Sequence, residues 1–559
     1  MLVLTGFGLG LVGVMARAFY VQVWQRDFYQ RRADRQQIRV VTLPAHRGQL
    51  LDRSGVPLAI SAPVQSVCIN PRKFQASAEQ MRTLARYLGI PERRLADRIR
   101  SNHHRAFPYL KRHLPPAEAE AIAQLEIEGL FLKPEFKRYY PSAEVTSHLL
   151  GFTDIDQHGQ EGLEKQFEIQ LQGIPGRMRV VQDRRGRIIE AIEAVQPVQP
   201  GRDVRLSIDR RLQYWGYLEL KRAVAEHRAK GGMLVLIDAH TGEVLALANQ
   251  PAFNPNRRHS LTGGHFRNRA VVDSFEPGST LKPFALACAL REKVVQADFK
   301  LDTHPGWLRV GRHLVRDHHD YGVLDLAGIL HKSSNVGITQ VALRMSPQSL
   351  AACFKDFGFG QLTGIEFPGE ARGVLSDPSG WGKFEQATLA FGYGLSVSAV
   401  QLARAYTALA DGGVLHSLTL LPRDRDDRER RVLPPAVASQ VLNMLEGVVG
   451  QQGTALKAQV AGYRVAGKTG TAKIAVPGGY ADGRYRSLFV GVAPVSKPRL
   501  VLVVVIEEPS GEQYYGGEVA APVFARVMEV ALRLFGVLPD AVPETDWRTR
   551  LANWDGKEG

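Results

Sequence analysis

Glu276-Pro277-Gly278-Ser279-Thr280-Leu281-Lys282-Pro283 turns the chain and leads into an apolar helical run from Phe284 to Leu290. The Pro-Gly pair predicts the turn. Ser279 is then predicted at a helix N-terminus, where backbone N–H groups and the helix dipole favour developing negative charge. Residues three apart share a helix face, so Lys282 is predicted beside Ser279. A serine hydroxyl is a weak nucleophile until a base takes its proton. A lysine desolvated next to other cations is neutral enough to be that base. Taken alone, the S-x-x-K pattern reads more readily as a serine cap with an incidental lysine, since it occurs by chance in many long chains.

Two further motifs remove that ambiguity. Ser333-Ser334-Asn335 places a hydroxyl two residues from a carboxamide, a proton relay beside an amide-binding group. Lys468-Thr469-Gly470-Thr471 follows Val465-Ala466-Gly467 and reads as a strand with Lys468 and Gly470 on one face. The missing side chain at Gly470 is expected to leave room for a substrate backbone along an edge strand. Lys468, Thr469 and Thr471 are expected to hold a carboxylate. Each motif alone is a polar turn or a strand end. Their order, with spacings of 54 and then 135 residues, is far rarer than any one of them.

Outward from the trio, residues 202–540 read as one α+β domain. A helix is predicted from Arg210 to His227, a buried strand at 232–238, a turn at Thr241-Gly242-Glu243 and a returning strand at 244–248. A strand pair is predicted at 487–493 and 500–506, turning at Lys497-Pro498, and a closing helix at 521–535. The pattern predicts an antiparallel sheet packed by helices. Gln196-Pro197-Val198-Gln199-Pro200-Gly201 marks the boundary to an elongated mixed α/β module at 25–201. There 76–100 has helical periodicity, with Met81, Leu84, Leu88 and Leu95 on an apolar stripe. Residues 541–559 form a tail. Arg423 to Arg431 is a mixed-charge run, expected to be a solvated loop.

Residues 1–24 carry no charged side chain before Arg17. As a helix they span about 36 Å, enough for a bilayer, with Tyr20 and Trp24 at the interface. A cleaved signal at Ala16-Arg17-Ala18 is the competing reading. Arg26, Arg31, Arg32 and Arg35 follow the helix, which by the positive-inside rule places that side in the cytoplasm. Large domains translocate with little regard to charge, and the chemistry implied below requires the outer side.

The whole chain has 559 residues and a formal net charge of +15, which favours anionic partners such as a lipid or wall surface. No zinc-finger spacing or aromatic-basic pattern supports nucleic-acid binding. Cys68, Cys288 and Cys353 form no CxxC pair, and no disulfide framework is needed at this size. The pairs His103-His104 and His318-His319 lack ligand spacing and are expected in surface loops.

The trio and its flanks resemble the class B penicillin-binding proteins, and within them the division-specific (FtsI-type) transpeptidases. Pro44-Ala45-His46-Arg47-Gly48, Asp52-Arg53-Ser54-Gly55, Arg138-Tyr139-Tyr140-Pro141, His148-Leu149-Leu150-Gly151-Phe152 and Glu161-Gly162-Leu163-Glu164 are similar to motifs of that family's N-terminal module. Arg267-Asn268-Arg269, Gly392-Tyr393-Gly394, Tyr514-Tyr515-Gly516-Gly517 and Ala521-Pro522-Val523-Phe524 are similar to its catalytic domain. The resemblance implies a penicilloyl-serine transferase fold behind a pedestal of the dimerisation type and one transmembrane helix.

It also implies D,D-transpeptidation of peptidoglycan stem peptides in the periplasm, no cofactor, no metal, acylation by β-lactams and a lipid II polymerase partner of the FtsW type. Ser279 is expected as nucleophile, Lys282 as base, Ser333 as proton relay, Asn335 as amide ligand and Lys468 as the electrostatic partner of Ser333. Thr469, Gly470 and Thr471 are expected to bind substrate, with the N–H groups of Ser279 and Thr471 as oxyanion hole. The basic tail usual in the division enzyme is not found in residues 1–24 as given, which keeps an accessory or condition-specific paralogue as the alternative within the family. Outside it, a serine β-lactamase is argued against by the anchor and N-terminal module, a β-lactam sensor by the lack of a signalling module, and a non-catalytic scaffold by the intact trio.

Overall fold

The computed structural model describes residues 2–28, 38–101, 107–182, 188–257, 263–424 and 428–541. His103-His104, Arg31, Arg32, Arg35 and the tail beyond residue 541 lie outside the described residues. The first element, α1 (Leu2–Phe19), continues into a wider turn at Tyr20–Trp24. Gly6–Trp24 is long and apolar enough to cross a membrane, and none of it is buried against protein. An apolar surface all round a helix suits lipid and not a half-wetted surface.

The described chain divides into two compact units. The first comprises residues up to Gln49, Ile60–Tyr139 and Ile169–Asp203. It contains β1 (Ile38–Leu43), most of β2 (Pro57–Ile69), α2 (Ala78–Leu88), α3 (Glu92–Ser101), β3 (Tyr109–Leu114), β4 (Leu130–Tyr139), β5 (Gly176–Gln182) and β6 (Ile188–Gln196). β2 pairs antiparallel with both β3 and β4, and β5 lies between β1 and β6. The stripe at 76–100 is split between two helices and not carried by one. Gly89 caps α2 in the left-handed conformation at φ 63°, and Pro91 follows. Both halves keep their apolar side inward, so Leu84, Leu88 and Leu95 meet Val67, Leu110 and Ile122 in one core.

The second unit comprises Leu50–Ala59, Tyr140–Glu168 and the chain from Val204. Asp209 caps α4 (Arg210–Glu226) by accepting from the Arg211 N–H, and the chain then enters β7 (Gly231–Asp238) and β8 (Val244–Gln250). A helical middle follows: α5 (Lys282–Arg291), the hairpin β9 (Trp307–Val310) and β10 (His313–Arg316), α6 (Asn335–Ala342), α7 (Pro347–Asp356), α8 (Lys383–Ala390), α9 (Ala399–Ala410) and α10 (Pro435–Val449). The sheet is completed by β11 (Ala466–Val476), β12 (Gly479–Ala493) and β13 (Leu500–Glu507), and α11 (Ala521–Leu534) closes the unit.

The strand order is β8-β7-β13-β12-β11, antiparallel throughout. Every residue of β7 and β8 is buried, which an apolar run without polar alternation requires. Helices α4, α9 and α11 pack on this sheet. Burying each Val, Leu or Ile side chain there contributes about 1.5–3 kcal/mol. β11 is the last strand in this order, and among the described residues one of its edges pairs with no strand.

Two further features depart from the sequence reading. Arg423 does not begin a solvated loop: its N–H donates to Glu243 and its Nε donates to the Thr241 carbonyl. Cys288 on α5 and Cys353 on α7 form a disulfide across 65 residues, a pairing that separation in sequence hid. It ties the helix after Ser279 to the helical middle. Replacing both cysteines by alanine is expected to lower the unfolding free energy by about 2–4 kcal/mol through the longer unfolded loop. Urea denaturation reads this, and an unchanged midpoint refutes it.

Candidate active site

Ser279 lies in a tight turn, Gly278–Leu281, that runs straight into α5. Three contacts fix the turn. The Tyr406 hydroxyl, fully buried on α9, donates to the Thr280 carbonyl at 2.8 Å, and Thr280 Oγ1 donates to the Pro277 carbonyl at 2.7 Å. The Gly278 N–H donates to the Gly392 carbonyl at 3.1 Å. Gly278 has φ 55°, and a Cβ at Gly392 would stand 2.0 Å from the Gly278 carbonyl oxygen, so both positions need glycine. Glu276 accepts from the Gly394 N–H at 2.8 Å and the Tyr480 hydroxyl at 3.1 Å. Ser279 itself remains partly exposed.

Lys282 begins α5 and is fully buried. Its Nζ donates to Asn335 Oδ1 at 2.8 Å, to Ser333 Oγ at 3.2 Å and to the Ser333 carbonyl. Lys468, on β11 and equally buried, donates from Nζ to Ser333 Oγ at 2.9 Å across 135 residues. One hydroxyl therefore sits between two lysine amine nitrogens. Burial lowers the Lys282 pKa well below its usual value, the nearby Lys468 charge lowers it further, and Asp317 offsets part of this. Burial brings Lys468 down to about 7. Lowering its pKa favours the neutral amine at Lys282, one helical turn from Ser279, and a neutral amine has a lone pair that can accept a proton.

Ser333 sits at φ 55°, a left-handed conformation rare for a residue with a Cβ. This strain, of order 1–3 kcal/mol, keeps its carbonyl and hydroxyl both in reach of Lys282. Asp317, which the motifs did not single out, anchors the loop. It accepts from the Ser334 hydroxyl and the Asn335 N–H at 2.5 Å, and from the Val336 N–H at 3.0 Å. Ser334 also caps α6 through the Gly337 N–H at 2.8 Å. A lone aspartate 16 residues before the motif carries no spacing signal in sequence.

β11 faces the Ser279 turn. A Cβ at Gly470 would come within 3.0 Å of the Pro277 carbonyl and of a Thr280 methyl. The glycine thus accommodates the chain's own turn, a different physical reason from the one expected. Thr469 Oγ1 bonds to Thr454 Oγ1 at 2.8 Å, and Thr471 Oγ1 accepts from the Gly516 N–H at 3.1 Å. Tyr514 stacks between Tyr485 and Tyr515 at centroid distances of 4.3 and 4.5 Å. His318 meets the Tyr515 ring edge-on at 6.2 Å, so this histidine packs on an aromatic ring next to the motif strand. The arrangement gathers Lys282, Ser333, Asn335 and Lys468 into one hydrogen-bonded cluster one helical turn from Ser279.

Residues 232–529 match the model of the penicillin binding protein transpeptidase domain, and residues 42–206 match that of the penicillin-binding protein dimerisation domain. The peptidoglycan D,D-transpeptidase FtsI of Escherichia coli K12 is 40% identical over 96% of this chain and 92% of its own. The probable peptidoglycan D,D-transpeptidase PbpC of Pseudomonas aeruginosa is 38% identical over 97% and 96%. Among solved structures, the transpeptidase domain of Burkholderia pseudomallei penicillin-binding protein 3 aligns with a TM-score of 0.56 and 40% identity, covering 60% of this chain and 98% of that one. A peptidoglycan synthetase from Bifidobacterium adolescentis aligns with a TM-score of 0.71 and 27% identity over 91% and 98%.

Two outcomes are expected from this geometry. Asp317→Ala frees the loop that carries Ser333 and Asn335, and is expected to slow acylation by a penicillin about 10–100-fold, read by stopped-flow. Lys468 is charged in the unfolded chain up to about 10.5 and in the folded one only below about 7. Between those values the unfolded state binds the extra proton, so stability rises with pH across that window. Lys468→Met is expected to flatten the rise, read by denaturation at a series of pH values.

Proposed function

We propose a function for this chain on the premise that it belongs to the class B penicillin-binding proteins. It is a serine-type peptidoglycan D,D-transpeptidase that cross-links stem peptides in septal wall synthesis and is acylated by β-lactams. The observation that carries the mechanism is the single Ser333 hydroxyl held between two buried lysines, beside the turn that bears Ser279.

Ser279 Oγ attacks the carbonyl between the two terminal D-alanines of a donor stem peptide and passes its proton to Lys282 Nζ. Desolvation keeps Lys282 neutral enough to accept it. The backbone N–H groups of Ser279 and Thr471 receive the oxyanion, where one such donor is commonly worth about 10²–10³ in rate. Ser333 relays a proton to the departing D-alanine amine, and Lys468 sets the acidity of that hydroxyl. Asn335 binds the donor amide, while Thr469 and Thr471 hold the terminal carboxylate on either side of Gly470. An amine from a neighbouring stem peptide then takes the acyl group from Ser279.

The functional division is an anchor at 1–24, a pedestal at 25–201, a transpeptidase domain at 202–540 and a tail at 541–559. The apolar helix and the relatives agree with a single-pass inner-membrane protein. A periplasmic catalytic domain is supported by the Cys288–Cys353 disulfide, since such bonds persist in oxidising compartments. A lipid II polymerase of the FtsW type, delivering uncross-linked strands at the same membrane, completes the proposal.

The full chain in detergent, incubated with a penicillin and read by intact-mass spectrometry, is expected to gain one drug mass that persists. Ser279→Ala is expected to gain none. Rapid loss of the adduct indicates hydrolysis instead, and no adduct on folded wild-type protein overturns the assignment.

A further inference from the structure

The hairpin β9–β10 has two unlike faces. Its register pairs Trp307 with Arg316, Leu308 with Val315, Arg309 with Leu314 and Val310 with His313. Strand alternation therefore puts Leu308, Val310, His313 and Val315 on one side. That side is the packed one: Val310 and Val315 are buried, and His313 stacks on Phe384 of α8 at 4.2 Å. The other side presents Trp307, Arg309, Leu314 and Arg316 to solvent. Trp307 is 46% exposed and Leu314 39%. Arg309 and Arg316 are exposed too, and neither lies within ion-pair distance of a carboxylate among the described residues.

This strip starts at the catalytic loop. The Arg316 carbonyl accepts from Asn335 Nδ2 at 3.0 Å, and the next residue, Asp317, holds Ser334 and Asn335. Trp307, opposite Arg316, is at the same end. The strip runs away from the site for about 13 Å, four residues of strand. Trp307 and Leu314 interleaved with two exposed arginines make a mixed apolar and cationic face. Its chemistry selects the partner. An indole face packs on the C–H face of a pyranose ring, and guanidinium groups pair with carboxylates. A phosphate alone would leave Trp307 and Leu314 without a role.

We propose that the outer face of the 307–316 hairpin is a docking strip for the peptidoglycan strand, an anionic glycopeptide whose sugar rings lie on Trp307 and Leu314 and whose stem-peptide carboxylates pair with Arg309 and Arg316. This rests on the transpeptidase reading. It adds that the enzyme grips the polymer beside the peptide that it acylates, so a strand-borne stem peptide reaches Ser279 already held.

The test uses the full chain in detergent and soluble, uncross-linked peptidoglycan strands carrying pentapeptides. Trp307→Ala combined with Arg309→Glu is expected to weaken strand binding by about tenfold or more in fluorescence anisotropy. Its rate of acylation by a penicillin is expected to stay within about twofold of wild type, because both side chains lie on the face opposite the packed one and neither bonds to Lys282, Ser333, Asn335 or Lys468. Wild-type strand binding is expected to weaken on raising salt from about 0.05 to 0.5 M, and the variant's much less. A variant that acylates normally and binds strands as wild type does overturns the strip and leaves the transpeptidase reading standing, and the face then belongs to another partner, such as an acidic protein. A wild-type chain that takes no penicillin overturns the transpeptidase reading, while strand binding still tests the strip directly.

Discussion

The Ser333 hydroxyl lies within hydrogen-bond distance of two fully buried lysine amines, Lys282 and Lys468. Two ammonium groups this close in a dry interior repel strongly, so the cluster is stable only when the pair shares its protons. That constraint favours a neutral lysine, which is what the proposed role of Lys282 as base requires. Removing Lys468 would leave Lys282 less perturbed, because the Lys468 charge adds to burial in lowering it. Asn335 and the Ser333 carbonyl take the donors that Lys282 retains, and Asp317 supplies the nearby negative charge.

The rest of the catalytic unit holds that cluster together. Lys282 is carried by a helix, Ser333 by a strained loop and Lys468 by an edge strand, and each must be placed to a fraction of an ångström. The buried sheet fixes β11. The disulfide to α7 holds the second half of α5, and the Tyr406 hydroxyl fixes the turn that enters it. The turn at Ser279 is pressed between Gly392 on one side and Gly470 on the other, positions where any side chain would meet backbone or a packed methyl. The family signature is therefore partly a packing signature: glycine in the third motif makes space for the first.

Much of the fold was legible. The apolar runs at β7 and β13, the helix from Arg210 and the closing helix each carry a local signal. The motif order named the four residues that meet in the cluster. Less legible were features with no local pattern. The split of the 76–100 stripe depended on Gly89 and Pro91, whose effect competes with an uninterrupted apolar period. Asp317 acts only because a hairpin brings it under the Ser333 loop. The outward face of that hairpin is invisible without its register, since Trp307 and Arg316 lie nine residues apart in sequence.

By itself the sequence determined which chemistry is present: a serine three residues before a lysine, a hydroxyl two before a carboxamide, a lysine on a strand, and an apolar N-terminal helix. Period, caps and turn residues are local, and local physics reads them. Only the tertiary structure decided that both lysines lose water together, that Ser333 is the hydroxyl they share, that Cys288 finds Cys353, and that one face of β9–β10 stays uncovered. Burial, charge coupling and cross-linking depend on which distant segments meet, and that is set by packing of the whole unit.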